Sequence, residues 1–160
     1  MKKFEEKTIK STPIFDGKVI KVFHEEVELP NGKQSKREIV KHPGAVGIIP
    51  ITKDKKIVLV EQYRKPLERS IIEIPAGKLE EGEAPEVTAL RELEEETGYT
   101  AAKLEHIISF YTSPGFADEL IHLYIAKDLE KVEEPLSQDE DEFVELMSCT
   151  LEEANINLCY

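Results

Sequence analysis

The stretch from Pro85 to Gly98 admits little other than a helix. Proline suits a first helical turn, where its missing N–H would have had no partner. Glycine suits the position just past the end, where a left-handed backbone is needed. Between them Val87, Leu90, Leu93 and Thr97 recur at helical spacing. On a wheel of about 100° per residue these four cluster on one side, and Glu92, Glu95 and Glu96 gather nearly opposite. Like charges at i,i+3 and i,i+4 destabilise a helix by ~0.2–0.5 kcal/mol per pair, and Arg91 can relieve Glu95 across its own i,i+4 spacing. A glutamate face is by default a solvated face. The alternative is a divalent cation, because hard ions take crowded carboxylate oxygens.

The elements around the helix are mostly strands. Val19 to Leu29 and Lys33 to Val40 flank the turn signal Pro30-Asn31-Gly32 and predict a hairpin. His42-Pro43-Gly44 breaks the chain. Ala45 to Ile51, Lys56 to Tyr63 and Ser70 to Pro75 follow as strands, then Lys103 to Tyr111, Glu119 to Ile125 and Phe143 to Met147 beyond the helix. Asp128 to Glu142 reads as a polar, acidic loop. Thr150-Leu151-Glu152-Glu153 is a capping box that opens a second helix. The class is α/β or α+β, with a mixed sheet flanked by at least one helix.

Composition removes several function classes. A chain of 160 residues with 40% hydrophobic and 34% charged content fits one globular domain. No apolar run approaches the roughly 20 residues of a membrane span, and no apolar run follows the N-terminal lysines as a secretory signal would require. Cys149 and Cys159 read as free thiols, which with the missing signal predicts a cytoplasmic protein. A net charge of -12 argues against nucleic acid and anionic membranes as partners. His24, His42, His106 and His122 lie singly in the chain, without a pair at metal-ligand spacing, and read as ordinary strand or loop residues.

The residues around the helix decide between solvated face and cation site. From Gly77 the chain runs five residues to Glu83, seven more to Arg91-Glu92-Leu93-Glu94-Glu95-Glu96-Thr97-Gly98, and then Tyr99. This resembles the Nudix box, GX5EX7REUXEEXGU, at every fixed position. It departs only at Tyr99, which is aromatic where a bulky aliphatic is usual. The resemblance implies a Nudix α/β/α sandwich with a mixed sheet and an N-terminal β-hairpin extension. It implies that Glu92, Glu95 and Glu96, joined by the carbonyl of Ala76, hold Mg²⁺ or Mn²⁺, and that Glu83 and Arg91 pair to hold the loop against the helix.

Other segments resemble the ADP-ribose pyrophosphatase branch of that family. They are Arg37-Glu38 ahead of His42-Pro43-Gly44-Ala45-Val46, Glu61-Gln62-Tyr63-Arg64 ahead of Glu73-Ile74-Pro75-Ala76-Gly77, Ser113-Pro114-Gly115-Phe116-Ala117-Asp118-Glu119, and Glu140-Asp141-Glu142-Phe143-Val144-Glu145. The implied activity is metal-dependent hydrolysis of ADP-ribose to AMP and ribose 5-phosphate. Arg37, Arg64, Pro114 and Gly115 would contact substrate, the arginines through bidentate bonds to phosphate or stacking on a base. Glu142 would be the general base, with Glu140 the next candidate, and Glu95 belongs to the catalytic set. Two alternatives stay open: another nucleoside diphosphate sugar or dinucleotide as substrate, or a module that senses ADP-ribose without cleaving it.

The resemblance also implies an organisation. Residues 1–43 form an N-terminal strand region serving dimerisation, and residues 44–160 the hydrolase domain. A homodimer is expected, with Val19, Val22 and Val27 as candidate interface residues and an intramolecular hairpin as the alternative use of that segment. Relatives continue past the capping box into a full helix, whereas this chain ends at Tyr160, so the C-terminal helix is expected to be truncated.

Overall fold

A computed structural model describes residues 3–138 and 143–157, excepting the side chains of 155–157. The described chain contains a short N-terminal sheet, two further sheets, and helices. It divides into two compact units, residues 1–44 with 110–120, and residues 45–109 with 121–160.

The first unit is built on an antiparallel sheet of β1 (Lys7–Asp16), β2 (Lys21–Glu28) and β3 (Gln34–Lys41), with β2 in the middle. The expected hairpin is β2–β3, closed by a turn in which Leu29 N–H reaches Lys33 O at 2.7 Å and Asn31 Oδ1 accepts Lys33 N–H. β1 adds a third strand that the pattern of alternation did not reveal. Its register shifts between Thr8 and Lys10 and again between Pro13 and Phe15. Each irregularity resets the inward-outward alternation. Proline is tolerated here because β1 is an edge strand.

The second unit holds two sheets. One runs β10 (Val144–Cys149), β5 (Ile57–Arg64), β6 (Arg69–Glu73), antiparallel throughout. The other runs β7 (Ala76–Lys78), β4 (Ala45–Pro50), β9 (Leu120–Lys131), β8 (Tyr99–Tyr111), and is mixed, because β4 pairs parallel with β9 and antiparallel with β7. Ala45-Val46-Gly47-Ile48-Ile49 is almost uninterrupted apolar sequence, as a central strand covered on both faces requires. β9 runs to Lys131, so the acidic loop starts four residues later than the sequence suggested.

Helix α1 (Pro85–Thr97) packs on β4 and β7. Ala89 and Leu93 meet Val46, Ile48, Val58, Tyr124, Ala126 and Leu129 in the core. Pro85 occupies the first turn and Gly98 closes the end in the left-handed region, φ 69°, its N–H on Glu94 O at 2.8 Å. The buried stripe differs from the one read from the wheel. Val87 is exposed, whereas Glu92 and Glu96 are buried together with Thr88, Ala89, Leu93 and Thr97. The glutamate face is covered because β7 lies against it, so the helix is packed on more than its apolar side. A second helix, α2 (Leu151–Asn157), opens at the expected box. Thr150 Oγ1 accepts Glu153 N–H at 3.2 Å and Glu153 Oε2 accepts Thr150 N–H at 2.8 Å.

Gly98 tests the end of α1. A Cβ there would meet nothing within 4 Å, so the positive φ is the whole constraint. Gly98→Ala should lose about 1–2 kcal/mol from left-handed strain, lowering the melting temperature by roughly 2–8 °C for a chain of this size. An unchanged midpoint in thermal denaturation would show that this backbone position carries no strain.

Candidate active site

The acidic face of α1 is organised by one guanidinium. Arg91 Nε and Nη2 donate to the two oxygens of Glu83 at 3.2 and 3.1 Å, while Nη1 donates to Glu92 Oε1 at 2.9 Å and to Glu95 Oε2 at 2.8 Å. Glu83 lies in the loop ahead of the helix. Its carboxylate also accepts the hydroxyl of Thr88 at 2.7 Å, which ties that loop to the second turn. Thr88 is fully buried and was not singled out from the sequence; its only sequence signal is a small hydroxyl five residues after the loop glutamate. Hydrogen bonding from Arg91, supported by Thr88, holds Glu83 below the usual carboxylate range, and hydrogen bonding to Glu83 raises Arg91 further still. A depressed carboxylate stabilises the fold above its ordinary value, 4.5, and that contribution is lost as pH falls through the lowered one.

Glu92 and Glu96 are only 8% and 4% exposed. Ala76 N–H donates to Glu96 Oε2 at 3.3 Å. Beside it, Gly77 leaves room for Glu92: a Cβ built there would stand 1.9 Å from Glu92 Cδ and 2.0 Å from Oε1. The carboxylate of Glu92 therefore lies flat on the backbone of β7, in the space where any other residue would have its side chain. Within the second unit Ala76 thus meets Glu96, Gly77 meets Glu92, and Arg91 links Glu92 to Glu95. Among the described residues no three acidic, histidine or cysteine side chains converge on one point, since Arg91 draws Glu92 and Glu95 while Glu96 meets Ala76.

Arg64 ends β5, and its Nε donates to Glu73 Oε1 at 2.7 Å. Arg37 stands on β3 in the first unit, held by Glu6 at 2.6 and 2.9 Å and by Ser35 Oγ at 3.0 Å. Both arginines are oriented by a carboxylate, and neither Glu73 nor Glu6 was recognised in that role. Pro114 and Gly115 lie in a turn of the same unit as Arg37. That turn is fastened to the end of β3: Val40 N–H reaches Phe116 O at 2.8 Å, and Asp118 accepts Lys41 Nζ at 2.8 Å and His42 N–H at 2.9 Å. Next to it an open pocket of about 380 Å³ is lined by Ile14, Val22, Phe23, Val40 and Phe116, with His24 and Glu38 as its polar residues. Glu140 and Glu142 lie outside the described residues.

Residues 41–158 match the NUDIX domain, and residues 6–40 match the nucleoside diphosphate sugar hydrolase N-terminal domain. The chain is 66% identical over 154 residues to a Bacillus subtilis (strain 168) protein named ADP-ribose pyrophosphatase, covering 96% of this chain and 83% of that one. It is 67% identical over 153 residues to the methanol dehydrogenase activator of Bacillus methanolicus, again over 96% and 83%. A crystal structure described as an ADP compounds hydrolase superposes with a TM-score of 0.81 at 23% identity, over 92% of this chain and 80% of that one.

Gly77→Ala isolates the close approach at β7. The displaced group is the far end of a flexible side chain, so the fold should survive with a melting temperature within a few degrees of the parent. The Glu92 carboxylate must leave its place, and hydrolytic activity should fall by about 10²-fold or more. Parent-like turnover in Gly77→Ala would show that the seat of Glu92 is irrelevant to function.

Proposed function

Because the chain belongs to the Nudix family, we propose that it hydrolyses the pyrophosphate bond of ADP-ribose, releasing AMP and ribose 5-phosphate. The observation that carries this reading is the likeness to an ADP-ribose pyrophosphatase at 66% identity over nearly the whole chain, with every fixed position of the acidic helix motif retained.

The donor set fits a hard divalent cation, Mg²⁺ or Mn²⁺. All of its side chains offer carboxylate oxygen, two of them nearly buried, and Gly77 keeps the space beside Glu92 free of a side chain. Glu92, Glu95 and Glu96, with Ala76 beside them, are the residues that would hold it. When bound, such an ion screens the pyrophosphate charge and activates a water.

The chain's own groups do the rest. Arg91 holds Glu92 and Glu95 close together, and Glu83 with Thr88 fixes Arg91 in turn. Arg37 and Arg64 take the nucleotide part of the substrate, each already oriented by its carboxylate partner. Pro114 and Gly115 belong to the same proposed substrate-binding set. Glu142, or Glu140 two positions earlier, accepts the proton as the water oxygen bonds to phosphorus and the bridging P–O bond breaks. Other nucleoside diphosphate sugars are the second reading, favoured by the match of residues 6–40. A sensor without catalysis is disfavoured by the complete set of helix glutamates.

The N-terminal sheet is assigned to a homodimer. Val27 is not available for an interface, being 3% exposed. Ile9, Ile14 and Phe15 on β1 are exposed, as is Val19. Exposed apolar side chains of this size are what an interface core buries.

Two measurements test these assignments. AMP release from a panel of ADP-ribose, ADP-glucose, NADH and diadenosine polyphosphates should be fastest with ADP-ribose, stop in EDTA, and fall by at least ~10²-fold in Glu96→Gln. The glutamine can still accept Ala76 N–H, so its fold should persist; activity surviving in EDTA or in that variant would refute the cation-dependent reading. Sedimentation equilibrium at micromolar concentration should give twice the chain mass, with Phe15→Glu shifting it to the monomer. A monomeric parent would overturn the dimer.

A further inference from the structure

A second cluster of metal-ligating side chains lies away from the acidic helix, on β8 and β9. His106 Nε2 stands 2.9 Å from Ser109 Oγ, and His122 Nδ1 stands 2.8 Å from the same oxygen. The ring centroids are 6.3 Å apart, with the planes inclined by 52°. His106 also stands edge-on to Tyr124 at 5.3 Å, and Tyr124 is a fully buried core residue, so the His106 ring is backed by a rigid surface while remaining open to solvent on its other side. Nothing in the sequence pairs these histidines. They meet because β8 and β9 are neighbours in the sheet.

A serine hydroxyl has one proton, and each neutral imidazole has one bare nitrogen. Ser109 can therefore donate to one ring only. The other must turn an N–H toward it, so the bridge satisfies a single bare nitrogen. With the Ser109 hydroxyl rotated aside, an ion between the rings would be bonded by a bare nitrogen from each. Two imidazoles sharing one tetrahedral ion at ~2.0–2.1 Å per bond set their centroids about 5 Å apart, so the rings need to close from 6.3 Å by only about 1 Å. Nitrogen donors select Zn²⁺, Cu²⁺ or Ni²⁺ over Mg²⁺. Tyr124 does not join as a phenolate: burial, then the nearby Glu86 carboxylate, push its hydroxyl up to about 12.

We propose that His106 and His122 form a two-histidine site for a borderline divalent cation, Zn²⁺ foremost, separate from the oxygen-donor glutamates of α1. Among the described residues no third His, Cys, Asp or Glu completes a set of three, so water fills the remaining positions. The bound ion clamps the edge strand β8 to β9.

The test uses the intact chain in saturating Mg²⁺, which fills the glutamates with a hard ion, and titrates Zn²⁺. The ring resonances of His106 and His122 should move together to a stoichiometry of one ion per chain, and the melting temperature should rise with Zn²⁺ concentration. His106→Gln and His122→Gln should each weaken binding by more than about tenfold. Ser109→Ala should retain it, since both nitrogens remain, and His24→Gln should behave as the parent. The proposal is overturned if neither ring responds to Zn²⁺, if either glutamine variant binds as the parent does, if Ser109→Ala abolishes binding, or if raising Mg²⁺ displaces the ion.

Discussion

Arg91 is the one charge on which the active region depends. Glu83, Glu92 and Glu95 all accept hydrogen bonds from it, and its own side chain is largely covered. Carboxylates withdrawn from water strongly favour their neutral form unless a cation compensates them. A guanidinium can serve three at once because its donors spread in a plane, and a lysine ammonium could not replace that geometry. The helix therefore carries its own internal counter-charge, which makes a buried acidic face compatible with folding. The same contact binds the preceding loop to the helix through Glu83, so the structural and the chemical requirements on this segment are one requirement.

How much of this was legible in the sequence depends on how local each feature is. The limits of α1 could be read from Pro85 and Gly98, because the first-turn and C-terminal signals are short-range backbone effects. The box opening α2 was legible for the same reason. The glutamates were recognisable by spacing, but their burial was not. A helical wheel assigns one face to the core and the opposite one to water, and it has no place for β7, which covers the glutamate side. Val87 was misplaced by the same assumption. β1 escaped notice because its two register shifts erase the alternation by which strands are recognised.

Partners distant in the chain were the least visible. Arg37 and Arg64 could be named, whereas Glu6 and Glu73 could not, because a carboxylate that orients an arginine has no preferred separation from it in sequence. The histidines of β8 and β9 show the same limit. Each is unremarkable alone, and only the sheet brings the two rings to one oxygen.

The parallel pairing of β4 with β9 has a consequence for how the protein reaches this state. Register partners such as Ala45 and Ile121 bracket roughly half of the chain. Such a contact forms only after a long loop has closed, and topologies rich in non-local contacts fold slowly. The helix can form early from local signals, yet the floor it rests on is completed only when β9 arrives beside β4. Until then its apolar side, Ala89 and Leu93, lacks Tyr124, Ala126 and Leu129, so the charged face of this helix can be neutralised locally before its apolar face is covered.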